Sequence, residues 1–402
     1  MAAFDRSARL ALQAMLAGIF GVALASSAMA QVPGWPSGSA APQADASSAG
    51  DIYGAPPAAA AVEAPRNASE ERVISVGGLK REFILHLPKN AAPGPWPLVI
   101  ALHGAWQPAS VFRSYLDLDE IADREGFAVA YPRGLNLLWN DGRGSVAGIM
   151  PIIQKRDDAA FILAVLDALA AEAIADPNRS YLMGFSNGAF LTAFIACRHA
   201  ERFAAYATMM MTAPVSYAET CRPARPIPIL MMNGSYDPIV PTFGRPTPGA
   251  KLMSATESAE LFARIDGCGT PQAAAGPSAR ILRWDDCAQG SAVHFYEIEG
   301  GHQPPARTVG PMDALAGLVL GPRRKGLDAP EEIWAFFRRY GTVPSAIAGP
   351  VEPAATAIHG GLPAVATLPG GPTAAPSAQH LPVANVPRPI PSPVRQRTIS
   401  TQ

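Results

Sequence analysis

The stretch YLMGFSNGAFLTA, Tyr181–Ala193, reads as a strand, a tight turn and a helix, and the serine stands on the turn. G-x-S-x-G is a weak pattern alone in a chain with 36 glycines. The context strengthens it. A nucleophile on a strand-to-helix turn needs a strained backbone and small neighbours where chain and helix meet. Gly184, Gly188 and Ala189 supply them around Ser186. The turn exposes Oγ and directs the Asn187 amide toward a carbonyl under attack.

Outward from this stretch, short apolar runs alternate with helical patterns. ERVISV and KREFILHLP read as a leading pair of strands, and WPLVIALHG (Trp96–Gly104) as a strand buried on both faces. LDEIADREG is helical and stops at Gly126, and FAVAYP is the next strand. Asp157–Ala173 has helical apolar spacing, with two aspartates where they complement the helix dipole. RSYLMG, FAAYATMMM, PIPILMMNG and AVHFYEIEG continue the strands, while NGAFLTAFIAC, ESAELFARIDG and APEEIWAFFRRYG are helices. This alternation predicts an α/β fold with a mainly parallel central sheet and helices on both faces.

The flanks differ in composition. Arg6 and Arg9 precede the apolar run Leu10–Ala25, and Ala28 and Ala30 occupy the small-residue positions of a cleavage site. That order predicts a signal peptide over 1–30, cleaved after Ala30, and a secreted or periplasmic protein without a membrane span after cleavage. Residues 31–70 form a linker rich in Ala, Pro, Gly and Ser, and 344–402 a Pro/Ala-rich tail. Both lack the large apolar residues that would offset ordering entropy, so both are expected to be disordered. The catalytic domain is then 71–343. The net charge of −1, with dispersed basic residues, gives no nucleic-acid-binding patch.

All four cysteines, Cys197, Cys221, Cys268 and Cys287, fall inside that domain. An even number in an exported chain points to disulfides. Three pairings exist; the local ones, Cys197–Cys221 and Cys268–Cys287, are favoured. Each closes a loop of about 20 residues, worth on the order of 3 kcal/mol. C-x-x-C spacing is absent, and no metal site or cofactor is expected.

A serine nucleophile needs a base, and there are seven histidines. His359 and His380 lie in the tail, His86 and His294 within strands, and His199 at a helix end. His103 suits a structural role beside Gly104. His302 remains, on the glycine loop EIEGGHQPP past a strand's C-terminal end, where it can reach a nucleophile at the top of the sheet. An acid must hold the base in its working tautomer. Asp237, in NGSYDPIVP, also follows a strand and lies between Ser186 and His302 in the chain. Asp157 and Asp158 read as helix-start residues, Asp285 and Asp286 as loop acids. An oxyanion hole needs two donors, assigned to the amides of Asn187 and Ala105. Trp139, in LNLLWNDGRG, is a candidate substrate contact on a glycine-rich loop, with structural packing as the alternative reading, and Met209–Met211 read as core filling.

The order Ser–Asp–His is that of α/β hydrolases. PLVIALHG, GFAVAYPRG, RSYLMGFSNGAFLTAFIAC, NGSYDPIVP, ARIDGC and EIEGGHQPP together resemble the extracellular polyhydroxybutyrate depolymerase-like and feruloyl esterase-like branch of that fold, over about residues 72–341. The resemblance implies Ser186 as nucleophile, His302 as base, Asp237 as orienting acid and Ala105 as second oxyanion amide; it also supports the local disulfides. Two positions depart. Ala105 stands where many relatives have cysteine, and Gln303-Pro304-Pro305 where many have a tryptophan. The expected activity is hydrolysis of small or oligomeric carboxylic esters: short-chain, hydroxyalkanoate or aryl. A serine peptidase with the same triad, and a silent envelope-binding protein using the Pro-rich tail, are the rival readings. Oligomeric state is not legible.

Overall fold

The computed structural model describes residues 69–341, apart from 90, 144, 147–149, 152–155, 248–249 and 277. The predicted signal peptide, linker and tail lie outside the described residues. One sheet of ten strands organises the rest. In chain order these are β1 (Ser69–Val76), β2 (Leu79–His86), β3 (Trp96–Leu102), β4 (Ala128–Pro132), β5 (Ala175–Phe185), β6 (Ala205–Met209), β7 (Ile229–Gly234), β8 (Gln272–Gly276), β9 (Ala279–Trp284) and β10 (Val293–Ile298). Their spatial order is β1-β2-β4-β3-β5-β6-β7-β10-β9-β8. The six strands from β4 to β10 are parallel, and antiparallel pairs close both edges. This is the α/β-hydrolase architecture.

Seven helices of more than one turn occur among the described residues: α1 (Ala109–Leu116), α2 (Leu118–Glu125), α3 (Asp158–Ala171), α4 (Asn187–Arg198), α5 (Ala255–Ile265), α6 (Pro311–Leu320) and α7 (Ala329–Phe337). The strand period of two divides the core between faces. Leu98, Ile100 and Leu102 of β3 pack with Phe161 of α3, Leu191 of α4 and Phe262 of α5. Val99 and Ala101 pack on the other side with Phe112 of α1, Ile121 of α2 and Phe337 of α7. Burying residues on both faces is what made WPLVIAL a continuous apolar run.

Local chemistry sets the helix ends. Asp157 caps α3 by accepting the Ala160 amide, and α2 stops at Gly126 in the left-handed region (φ 77°). Ser254 and Glu257 form a capping box at the start of α5. Cys197–Cys221 and Cys268–Cys287 are the two disulfides. The first joins the C-terminal turn of α4 to the chain just past a single-turn helix, Tyr217–Thr220.

Some elements differ from expectation. Strand β6 ends at Met209, and Met210 turns into the left-handed region (φ 56°); Met209, Met210 and Met211 are all buried. The sequence reading contained neither α1, α6 nor the hairpin β8–β9. Helix α6 has no buried residue, and Met312, Leu315 and Leu318 on it are exposed.

Candidate active site

Ser186 occupies the turn between β5 and α4 with φ 51° and ψ −117°, a conformation L-residues rarely adopt. The turn is held on both sides. Ser186 N–H donates to Met209 O at 2.8 Å, and Ser186 O accepts from Phe190 N–H at 3.0 Å. The flanking glycines are steric necessities. A Cβ on Gly184 would sit 2.3 Å from Gly188 O, and one on Gly188 would sit 2.4 Å from Leu102 O. The GxSxG spacing therefore records how tightly β5, α4 and the end of β3 converge.

His302 and Asp237 follow β10 and β7, adjacent parallel strands on the same side of β6. His302 Nε2 lies 2.8 Å from Ser186 Oγ, and its Nδ1 lies 2.6 Å from Asp237 Oδ2. His302 and Asp237 are buried, and Ser186 is partly exposed. Asp237 Oδ1 accepts the amides of Ile239 (2.8 Å) and Val240 (2.7 Å), which fixes the carboxylate so that Oδ2 faces the imidazole. The loops that carry the pair interlock through glycine. A Cβ on Gly234 would meet Gly301 O at 2.2 Å, and one on Gly301 would meet Leu320 O at 2.2 Å. The His302 N–H donates to Leu320 O, so α6 ends against the histidine backbone. The structure thus brings together three side chains spread over 116 residues of sequence.

The turn after β3 is organised by His103. Its Nε2 accepts the Gly134 N–H at 2.9 Å, so the proton resides on Nδ1, which donates to Gly104 O at 2.7 Å. Burial pushes this imidazole down to about 4, partly countered by the Gly104 carbonyl and by Asp158, so it is neutral at ordinary pH. Gln107 Oε1 accepts the Gly104 N–H at 3.2 Å. The amides of Ala105 and Asn187 have no hydrogen-bond partner among the described residues.

Trp139 corrects the sequence reading. It is fully buried, its indole N–H donates to His103 O at 2.9 Å, and its ring centroid lies 4.7 Å from that of His103. A side chain with no exposed surface has no face to offer substrate; it buttresses the turn that presents Ala105. Asn187 does more than its backbone suggested. Its Oδ1 accepts the Trp139 N–H (2.8 Å), and its Nδ2 donates to Trp139 O (3.2 Å) and Asp141 Oδ2 (2.6 Å). One residue thereby joins the elbow to the loop beside it.

Gln303 stood out in the sequence only as a departure. It is buried, with Nε2 donating to Gly321 O at 2.7 Å and Oε1 accepting the Tyr115 hydroxyl at 2.9 Å. Arg323 braces the same region, donating to Pro304 O, Asp313 Oδ1 and Tyr115 O. No sequence signal marked Asp141, Tyr115 or Arg323, because their partners are distant in the chain. Two further described histidines pair with carboxylates away from the site: His86 lies 2.8 Å from Asp123, and His294 lies 2.9 Å from Asp285. No group of three or more His, Cys, Asp or Glu suited to a metal occurs among the described residues, and no described helix is long and apolar enough to cross a membrane.

Comparison with known proteins matches residues 81–240 to the family described as Esterase PHB depolymerase. The putative esterase NocK of Nocardia uniformis subsp. tsuyamanensis is 30% identical over 273 residues, covering 62% of this chain and 77% of that protein. The bifunctional acetylxylan esterase/xylanase XynS20E of Neocallimastix patriciarum is 26% identical over 58% of this chain, which spans only 32% of that longer relative. Among solved structures, the acetyl xylan esterase from Aspergillus awamori aligns with a TM-score of 0.43 and 15% identity, covering 56% of this chain and 92% of that one.

Proposed function

The chain belongs to the esterase PHB depolymerase family and is a carboxylic ester hydrolase, and from that premise we propose that it works through a Ser186–His302–Asp237 triad on short-chain, hydroxyalkanoate or aryl esters. The observation that carries this reading is the continuous hydrogen-bonded line from Ser186 Oγ through both nitrogens of His302 to Asp237, anchored on the strained elbow. His302 Nε2 takes the Oγ proton as Oγ attacks the ester carbonyl. The oxyanion is held by the free amides of Asn187 and Ala105, each worth about 3–4 kcal/mol of transition-state stabilisation. His302 then protonates the leaving alcohol, and water repeats the sequence on the acyl-enzyme. Asp237 keeps Nδ1 protonated throughout and stabilises the imidazolium.

We place the protein outside the cytoplasm, because residues 1–30 carry the order of a cleaved leader and the two disulfides suit an oxidising compartment. N-terminal sequencing of the mature protein should begin at Gln31. The catalytic test is hydrolysis of p-nitrophenyl esters of graded length by the wild type and by Ser186→Ala. Turnover should peak at short acyl chains and fall to background in the variant; a variant that retains turnover removes the triad assignment.

A further inference from the structure

A cleft of about 460 Å³ lies against the outer half of α4, and none of its lining residues belongs to the elbow or the catalytic line. One wall is the loop at Asp141 and Arg143, another is the outer half of α4 with Phe194 and Arg198, and Tyr217 and Lys251 complete it. Its link to the site runs through protein, by one buried side-chain bridge. Asp141 accepts from Asn187 Nδ2 at 2.6 Å, and Asn187 follows Ser186. Arg198 is eleven residues further along α4, roughly 16 Å at 1.5 Å per residue.

The charge balance of the cleft is positive. Asp141 is the one carboxylate in its lining, and it is already matched by Arg143, at 3.0 Å from Nε and 2.6 Å from Nη2. Arg143 is further held over the Phe190 ring. Arg198 lies 3.9 Å over the Phe194 ring and, like Lys251, forms no ion pair among the described residues. Two cations therefore remain unmatched. A third donor lines the same cleft. Tyr217 is more than nine-tenths buried, yet its hydroxyl is not sealed off and has no hydrogen-bond partner among the described residues. Burial and Asp141 push this phenol up, against Arg198 and Arg143, so it stays protonated and able to donate. Two cations and an unused hydroxyl donor at the edge of a partly apolar cleft form a receptor for a carboxylate. The Cys197–Cys221 disulfide fixes the residues next to Arg198 and next to the Tyr217–Thr220 turn, so the walls are covalently set before any ligand arrives.

We propose that this cleft is a subsite for a carboxylate carried by the ester substrate about 16 Å along α4 from the elbow, held by Arg198, Lys251 and the Tyr217 hydroxyl. The assignment of the ligand to an ester substrate rests on the esterase reading above. Two sources fit the chemistry: the free terminal carboxylate of an oligomeric hydroxy acid, and the uronate of an acidic sugar ester.

The test measures binding, so that it does not depend on turnover. Full-length Ser186→Ala is titrated calorimetrically with the 3-hydroxybutyrate trimer acid and its methyl ester, and with a glucuronate-bearing xylo-oligosaccharide and its methyl ester. An acid should bind about five- to tenfold more tightly than its methyl ester. That ratio should collapse toward one in Arg198→Gln and Lys251→Gln and drop in Tyr217→Phe, a change of one hydroxyl that keeps the ring. Which of the two acids shows the preference identifies the source. Equal binding of acid and ester in both pairs, or a ratio preserved in all three variants, overturns the subsite. Failure of the triad reading is separate, since it would appear as ester hydrolysis surviving in Ser186→Ala.

Discussion

Gly188 on the first turn of α4 faces the carbonyl oxygen of Leu102 at the end of β3, leaving space for a hydrogen and nothing larger. A Cβ at 188 would stand 2.4 Å from that oxygen and 2.6 Å from His103 O. Both contacts are to backbone, which cannot swing aside as a side chain would.

Gly188→Ala should therefore move the elbow while leaving every triad residue in the chain. Displacement by about an ångström costs on the order of a hundredfold in rate. We expect kcat on p-nitrophenyl butyrate to fall at least that far, with a lower Tm. A variant with near-normal kcat would mean that the packing is looser than described.

Asp237→Asn keeps the size of the acid but presents an amide to His302 Nδ1. The carboxamide stabilises the wrong tautomer and cannot support the imidazolium, so kcat should drop by roughly 10,000-fold with little change in KM. The Ile239 and Val240 amides retain an acceptor in the carboxamide oxygen, so stability should change little. Steady-state kinetics beside a melting curve separates the two effects; a loss of less than about tenfold in kcat would count against Asp237 as the orienting acid.

Asp266, at the C-cap of α5, accepts the Ile227 amide and the Ser291 hydroxyl in a buried site. Burial pushes its carboxyl up to about 7, against those two donors. An unfolded aspartate titrates near 4. Between about 4 and 7 the folded protein holds a proton that the unfolded chain has released, so this group costs stability progressively as pH rises through that window, and the cost is constant above it. The variant Asp266→Asn can keep both hydrogen bonds without ionising. Its Tm should gain on the wild type by several degrees between about pH 4.5 and 7.5; parallel Tm curves would show that Asp266 ionises freely.

Tyr115→Phe removes the donor to Gln303 Oε1 and leaves that buried oxygen unmatched. An unsatisfied buried acceptor costs about 1–3 kcal/mol, visible as a Tm drop of a few degrees. Gln303→Leu also removes the donor to Gly321 O, so the double variant with Tyr115→Phe should lose more than Tyr115→Phe alone but less than the sum of the two singles. A double variant no better than the sum of the singles would place the stabilisation elsewhere.

What could be read from the sequence follows from how local each signal is. β3 was legible because burial on both faces writes a continuous apolar run, and Ser186 because sterics demand glycine at 184 and 188. His302 and Asp237 emerged by elimination and position, each just past a strand. Strand β8 was missed because QAAAG carries helix-forming alanines; only pairing with β9 makes it a strand, so tertiary context overrides propensity. Helix α6 was missed because its apolar residues face outward, giving no contrast between a buried and a solvated side. Trp139 stayed open between substrate contact and packing for a related reason: a glycine-rich loop suggests exposure, and nothing local shows that its indole finds the His103 carbonyl across 36 residues.

The Leu320 carbonyl that receives the His302 amide has a consequence for biosynthesis. The residues of the elbow are all made once β6 is, but His302, the proposed base, comes later in the chain, and the carbonyl that seats its backbone later still. His302 lies just past β10, and the pairing of β10 with β7 is what places it near Ser186 in the fold. A chain emerging from its N-terminus therefore carries the turn without its histidine over the stretch from Met209 to His302, and with the proposed triad ester cleavage waits until that stretch has been made and folded. Regain of activity after denaturation should accordingly report the last parallel strand falling into place rather than the collapse that precedes it.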